Sequence, residues 1–167
     1  GSATLYVLME LSRILITEFG DQQVIFLREK NGPRSFPILI GTQEALAIDR
    51  RLKGIAAPRP MTHDLLAGVI EVLDAKLDRI TIDDLKEHTF IATLHLSQHG
   101  KTISLDARPS DAIALGAAIN TPIYVSENVL EKVFQDTSST EDRLEILRQR
   151  MEILRENIEK ISARLND

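Results

Sequence analysis

Two segments of the sequence share one order of residue types: an arginine, a proline, a hydroxyl residue and then an aspartate, each ahead of an apolar run. This order predicts two helix starts, because proline suits the first helical position and hydroxyl residues favour the N-cap. A helix start presents free N–H groups and a partial positive charge, and both attract a phosphate. The candidate phosphate-binding residues are therefore Arg59, Thr62, Arg108 and Ser110.

Acidic side chains and one histidine accompany these helix starts. A histidine is suited to proton transfer, and carboxylates are suited to proton transfer or to holding a divalent metal ion. The candidate catalytic residues are His63, Asp64, Asp106 and Asp111, and the candidate metal ligands in a further helix are Glu44 and Asp49. A plainer interpretation is also open, because a hydroxyl at an N-cap and an aspartate in a first turn stabilise any helix.

The elements that must position these residues follow from the spacing of the apolar residues. Three strands are predicted early in the chain, three in the middle and a short one near residue 123. Helices are predicted from Thr42, from Thr62, after Arg108 and from Glu127, with the two threonines as N-caps. This order predicts an α+β fold, in which helices pack on a largely antiparallel or mixed sheet and a C-terminal heptad helix follows. Pro37 predicts that the third strand lies at an edge of the sheet.

The C-terminal segment has a different pattern, with apolar residues alternately three and four positions apart. These are Leu144, Leu147, Met151, Leu154, Ile158, Ile161 and Leu165. Such heptads are typical of coiled coils. We divide the chain into an α+β domain over residues 1–135, a linker over residues 136–140 and a coiled-coil-like helix over residues 141–167. A helix with one apolar stripe needs a partner, so we expect a homo-oligomer through this helix, with the domain as a second candidate surface.

The residues beside the apolar stripe limit the form of that association. They are basic or neutral and never acidic, for example Arg148, Arg150 and Arg155, which disfavours a parallel two-stranded coil. Ile146 and Ile153 widen the apolar face. We therefore expect packing against more than one neighbour, with docking of the helix onto its own domain as the alternative.

Composition excludes several classes of site. The chain has no cysteine, which excludes disulfides, thiolate nucleophiles and cysteine-ligated zinc. The absence of a long apolar run predicts no membrane contact and a cytoplasmic location. A net charge of -5 argues against a protein that coats nucleic acid, although seven basic residues between Arg28 and Arg59, against three acidic ones, predict a local basic rim. No signature of an organic cofactor is present.

Three motifs then occur in order over most of the chain. Residues 36–48 read FPILIGTQEALAI, residues 58–65 read PRPMTHDL, and residues 106–115 read DARPSDAIAL, with PIYV following at 122–125. Together these motifs resemble the bifunctional nuclease domain family, over roughly residues 5–134. The resemblance implies an α+β domain, and plant members of that family degrade both RNA and DNA.

Two functions remain open at this point. The first is a nuclease that hydrolyses phosphodiester bonds of RNA or DNA with low sequence specificity, assisted by Mg²⁺ or Mn²⁺ and without an organic cofactor. The second is a non-enzymatic oligomeric module that holds a small anion at helix N-termini and recruits partners. The net acidity and the scarcity of aromatic side chains, five phenylalanines and two tyrosines with no tryptophan, favour the second.

Overall fold

The computed structural model describes residues 3–18, 20–136 and 140–166. Within these residues it contains seven strands and five helices. The strands are β1 (Tyr6–Leu15), β2 (Gln22–Glu29), β3 (Ser35–Gly41), β4 (Ala75–Lys86), β5 (Thr89–Gln98), β6 (Lys101–Ala107) and β7 (Ile123–Ser126). The helices are α1 (Thr42–Leu52), α2 (Thr62–Val72), α3 (Pro109–Ala117), α4 (Glu127–Asp136) and α5 (Thr140–Leu165).

The strands form one mixed sheet in the order β3-β2-β1-β7-β4-β5-β6. Neighbouring strands run antiparallel, except that β7 lies between β1 and β4 and runs parallel to β4. Short connections join β1, β2 and β3, and β3, which contains Pro37, lies at an edge as predicted. The predicted α+β class is confirmed.

The core lies between this sheet and two helices. α1 packs on β2 and β3, and α3 packs on β4 and β5. Buried and more exposed side chains alternate along β2, because successive side chains of a strand point to opposite faces of the sheet. The side chains of Gln23, Ile25, Leu27 and Glu29 are buried, and their neighbours are more exposed. In α3, every residue from Pro109 to Gly116 except Asp111 is buried. Asp111 is thus the residue in the first turn of α3 whose side chain is accessible to solvent.

Helices α1 and α2 begin one residue earlier than predicted, so Thr42 and Thr62 are not the N-caps. Gly41 and Met61 hold those positions, and neither forms a side-chain cap hydrogen bond. The Met61 N–H instead donates to the Asp64 carboxylate at 3.0 Å, which satisfies one of the free groups of the helix start from inside the helix. The Thr42 hydroxyl contacts Gln23 Nε2 at 3.2 Å.

Helix α2 differs from the other helices of the sheet layer in its exposure. Its apolar residues recur at helical spacing and form a wide stripe, yet no residue of α2 is buried. Large apolar side chains of α2 and of the residue after it are between 44% and 81% exposed, namely Leu65, Leu66, Val69, Val72 and Leu73. Much of this stripe is therefore left uncovered in the single chain.

The C-terminal helix is continuous over 26 residues, as its heptads predict. The chain forms two compact units, one ending at Leu130 and the other beginning at Glu131. The predicted linker falls partly outside the described residues, at 137–139, and Asp136 and Thr140 belong to helices. The division of the chain into a domain, a linker and a coiled-coil-like helix stays a prediction.

Among the helices in the described residues, none combines the length and apolar character needed to cross a membrane.

Candidate functional site

The first turns of three helices meet at one place beside the sheet. Glu44 lies in the first turn of α1, His63 in that of α2 and Asp111 in that of α3. Arg108 occupies the N-cap of α3, where Pro109 fixes the first helical residue. We call Glu44, His63, Arg108 and Asp111 the helix-start cluster.

One chain of polar contacts joins the cluster. Arg108 Nη2 donates to Glu44 Oε1 at 3.0 Å, and Arg108 Nε donates to Asp111 Oδ2 at 2.8 Å. His63 Nε2 lies 3.0 Å from Asp111 Oδ1. The His63 side chain is 12% exposed and that of Arg108 65%, so the cluster runs from a largely buried imidazole to an exposed cation.

The protonation of the His63–Asp111 pair follows from its surroundings. Burial opposes ionisation of Asp111, but the hydrogen bonds from Arg108 and His63 outweigh it and lower the pKa of this carboxyl. An ionised carboxylate only accepts hydrogen bonds, so the proton between the two side chains belongs to His63 Nε2. Nδ1 is then the nitrogen of the neutral ring that is able to accept a proton.

A second cluster lies next to the first, since Asp64 follows His63 on α2. Arg50 Nη2 donates to Asp64 Oδ2 at 2.8 Å, and Arg51 Nη1 donates to Asp64 Oδ1. Burial opposes ionisation of Asp64, but the Met61 N–H and the two guanidinium groups lower its pKa. We call Arg50, Arg51 and Asp64 the arginine clamp.

Arg51 also reaches the end of α3. Its Nε donates to the carbonyl oxygen of Ala114 at 2.6 Å, and its Nη2 donates to that of Leu115 at 3.1 Å. These carbonyls lie in the last turn of α3, where a helix has unpaired acceptors and a partial negative charge. Arg51 therefore ties α1 to the start of α2 and to the end of α3 at once, which fixes the positions of the three helices that carry the helix-start cluster.

A cleft of about 400 Å³ opens on the arginine clamp. Its lining includes Arg50, Arg51 and Asp64, together with the apolar residues Ile55, Ala57 and Pro60 of the segment between α1 and α2.

Of the residues predicted from the sequence, the structure joins His63, Asp111, Arg108 and Glu44 in one cluster and places Asp64 beside it in the clamp. The other five lie elsewhere or face differently. Asp49 pairs with Lys53 at 2.9 Å. Asp106 is exposed on β6, opposite Thr93. Arg59 and Thr62 are exposed, in the segment before α2 and at its first residue, and Ser110 is buried in α3.

The predicted divalent metal ion does not fit the side chains as they are arranged. Among the described residues, no three or more histidine, aspartate or glutamate side chains are grouped so that they could hold a metal ion. The guanidinium group of Arg108 bonds both Glu44 and Asp111, and so serves as the cation between these two carboxylates. The metal ion stays a prediction.

Arg50 and Arg51 are the residues of this region that sequence patterns do not single out. They contribute to the basic rim predicted between Arg28 and Arg59, but two adjacent arginines near a helix end are ordinary, because cations are favoured there. Their role depends on a carboxylate thirteen to fourteen positions away. That sequence separation is larger than the three or four positions over which residues of one helix contact each other.

Comparison with known proteins gives a family match and several relatives. A family model described as the bifunctional nuclease domain matches residues 25–138. An uncharacterized protein of Mycobacterium tuberculosis is 43% identical over 117 residues, which cover 70% of this chain and 70% of that protein. Bifunctional nuclease 1 of Oryza sativa subsp. indica is 25% identical over 123 residues, which cover 70% of this chain and 37% of that protein. Bifunctional nuclease 2 of Oryza sativa subsp. japonica is 24% identical over 118 residues, which cover 68% and 36%.

Proposed function

Because the chain belongs to the bifunctional nuclease domain family, we propose that it hydrolyses phosphodiester bonds of RNA and DNA with little sequence preference. The resemblance of its motifs to that family is confirmed. The names of the rice relatives support the activity. The observation in the structure that carries the proposal is the His63–Asp111 pair within the helix-start cluster.

The pair supplies a general base of a familiar kind. Asp111 holds the proton on His63 Nε2 and orients the ring, so Nδ1 accepts a proton from a water molecule as that water attacks phosphorus. The P–O bond to the leaving oxygen breaks, and this oxygen takes up a proton from the imidazolium or from solvent. One water is consumed for each phosphodiester, giving an alcohol and a phosphate monoester.

Arg108 is the candidate for charge stabilisation during this step. Negative charge spreads over the phosphoryl oxygens, and an exposed guanidinium group close to His63 can donate to them. Arg108 shares its charge with Glu44 and Asp111, so its contacts with the substrate must compete with two carboxylates. The first turns of three helices beside it add backbone N–H groups and partial positive charge.

The test compares two histidines with one substitution. We expect His63→Asn to lower the rate of cleavage of end-labelled single-stranded RNA and DNA by about a hundredfold or more, the usual contribution of a general base. His88→Asn is the matched control, because His88 is exposed in the turn between β4 and β5, and it should leave the rate unchanged. Equal rates for the two variants would contradict the role of His63.

Parallel reactions settle the remaining candidates of the site. Asp111→Asn is expected to lower the cleavage rate, as His63→Asn does. Asp106→Asn tests a candidate residue that lies outside the cluster. Reactions with Mg²⁺, with Mn²⁺ and with EDTA test the predicted metal ion. Undiminished cleavage in EDTA would contradict the requirement for a metal ion. The His63–Asp111 pair would then be the catalytic group that accounts for cleavage.

The second candidate function is a non-enzymatic oligomeric module that holds a small anion. The long exposed apolar stripe of α5 favours this function, because a helix with such a stripe can bind a partner protein without a catalytic site. This function predicts that the purified chain cleaves neither RNA nor DNA under any of these conditions and still binds phosphate.

A further inference from the structure

The residues that line the cleft on the arginine clamp fall into two sets of different chemistry, which we call the charged wall and the apolar wall. The charged wall is Arg50, Arg51 and Asp64, two guanidinium groups with a single carboxylate, and it has a net positive charge. The apolar wall includes Ile55, Ala57 and Pro60. A nucleotide has the same division, with an anionic phosphate at one end and an apolar base face at the other.

We propose that this cleft binds one nucleotide of the substrate strand next to the phosphodiester that is cleaved. Arg50 binds its phosphate, and the apolar wall receives its base. This inference rests on the proposed function, because it assigns a binding subsite to the same substrate.

The two arginines of the clamp have different roles, since one stabilises the fold and the other has donors left for a ligand. Arg51 is 7% exposed, and its Nε, Nη1 and Nη2 all donate to protein acceptors, so it serves the fold. Arg50 is 20% exposed and donates through Nη1 to the Ile55 carbonyl oxygen at 3.4 Å and through Nη2 to Asp64. A guanidinium group has five N–H donors, so within the described residues three of those of Arg50 are left for a ligand.

The clamp also prepares Arg50 for an anion. Asp64 holds the guanidinium group in place, so little side-chain freedom is lost when a phosphate binds. A single carboxylate shared by two arginines does not neutralise them, and a partly buried site weakens the competition from water and salt.

The position of the cleft suits a strand that passes His63. Asp64, at the cleft, directly follows His63, at the proposed general base, and adjacent Cα atoms lie about 3.8 Å apart. Arg59 is an exposed cation in the same chain segment as the apolar wall. In the proposed arrangement, a strand whose phosphate lies on Arg50 extends its neighbouring phosphate towards the helix-start cluster.

The experiment measures binding separately from cleavage. Fluorescence anisotropy with a labelled single-stranded oligonucleotide is recorded on the full chain carrying His63→Asn, so that the strand stays intact. Arg50→Gln is expected to raise the dissociation constant about tenfold, the loss of one or two charge-assisted hydrogen bonds. Lys53→Gln is the matched control, because it removes the same charge from the same end of α1 outside the cleft, and it should change the constant less than twofold. Equal changes for the two variants overturn the subsite.

A second variant guards against a folding defect in Arg50→Gln. Ala56→Glu leaves the clamp intact and places a negative charge on the lining of the cleft from an exposed position outside any helix or strand. It should weaken oligonucleotide binding at least as much as Arg50→Gln, with an unchanged circular dichroism spectrum. Unaltered binding in a folded Ala56→Glu protein overturns the proposal.

Small probes separate the two walls. Adenosine monophosphate should compete with the oligonucleotide at lower concentration than inorganic phosphate or adenosine, because only the nucleotide uses both walls. Equal competition by phosphate overturns the role of the apolar wall. Failure of the proposed function gives a different result from failure of the subsite. If the chain is not a nuclease, the parent chain does not cleave the oligonucleotide, but Arg50→Gln still weakens its binding.

Discussion

At the scale of single residues, two aspartates with the same sequence context have different partners. Asp64 and Asp111 each follow an Arg-Pro pair and a hydroxyl residue in the first turn of a helix. Asp111 bonds His63 and Arg108, whereas Asp64 bonds Arg50 and Arg51. The first arrangement leaves a ring nitrogen able to take a proton, and the second holds three helices together.

The lowered pKa of Asp64 makes the stability of the fold depend on acidity. A carboxylate whose pKa is lower in the folded state stabilises the fold above its unfolded pKa, and this stabilisation is lost as the pH falls through the folded pKa. The ordinary value for Asp64 is 3.8. We expect Asp64→Asn to lower the free energy of unfolding by roughly 1–3 kcal/mol at pH 7, and this difference from the parent to shrink as the pH falls below 3.8.

Denaturant unfolding at a series of pH values measures this difference. Glu71→Gln, at an exposed position of the same helix, should alter the free energy of unfolding by no more than about 0.5 kcal/mol. A difference between Asp64→Asn and the parent that stays constant down to the acid limit would contradict the ionic role of Asp64.

At the scale of elements, α3 is the support on which the site depends. It is buried along most of its length, carries Arg108 and Asp111 at its start and accepts two hydrogen bonds from Arg51 at its end. Gly116 allows it to lie close to the sheet, because a Cβ there would come within 2.8 Å of Ile80 Cδ1 and 3.0 Å of Thr121 Cβ. Small shifts of α3 therefore move two members of the helix-start cluster together.

Two glycine-to-alanine substitutions test this support with opposite expected signs. Gly116→Ala should lower the free energy of unfolding by about 1 kcal/mol, because the cost of crowding Ile80 and Thr121 exceeds the gain in helix propensity. Gly68→Ala in α2 has open space around the added methyl group and should raise it by about 0.5–1 kcal/mol. Denaturant unfolding followed by circular dichroism gives both values, and a stabilised Gly116→Ala protein would show that close packing is not the reason for the glycine.

At the scale of the whole molecule, much apolar surface is left exposed. The heptad residues of α5 are between 47% and 81% exposed, and α2 carries a further exposed apolar face. Arg148 pairs with Glu145 at 3.7 Å and Arg155 with Glu152, so these two flanking arginines have acidic partners within their own helix. Such pairs contribute only about 0.3–0.5 kcal/mol each. Association through α5, with the domain as a second surface, stays our prediction for how the apolar stripe is covered.

Two lysine substitutions on α5 test that association. Leu154→Lys places a charge in the middle of the apolar stripe, and we expect it to lower the molar mass that light scattering measures across a range of concentrations. Gln149→Lys adds the same charge on the opposite, polar face and should leave the mass unchanged. A parent chain that is already monomeric, or a Leu154→Lys protein with the parent's mass, would refute oligomerisation through this stripe.

The amino-acid sequence alone is sufficient to predict the α+β class, the order of strands and helices, the edge position of Pro37, the heptad helix and the family. These properties follow from local patterns: apolar periodicity within an element, turn residues at its ends and motifs in a fixed order. It also placed Glu44, His63 and Asp111 in first turns, because the signals of a helix start lie within four residues.

The packing of the helices on the sheet sets which of these first turns meet. His63 and Asp111 are 48 positions apart, and their contact depends on how α2 and α3 pack on the sheet. The same packing gave Arg50 and Arg51 their shared carboxylate, left Asp106 on an exposed strand and left the apolar face of α2 uncovered. Side-chain pairing between elements is set by their relative positions, and no periodicity within one element encodes those positions.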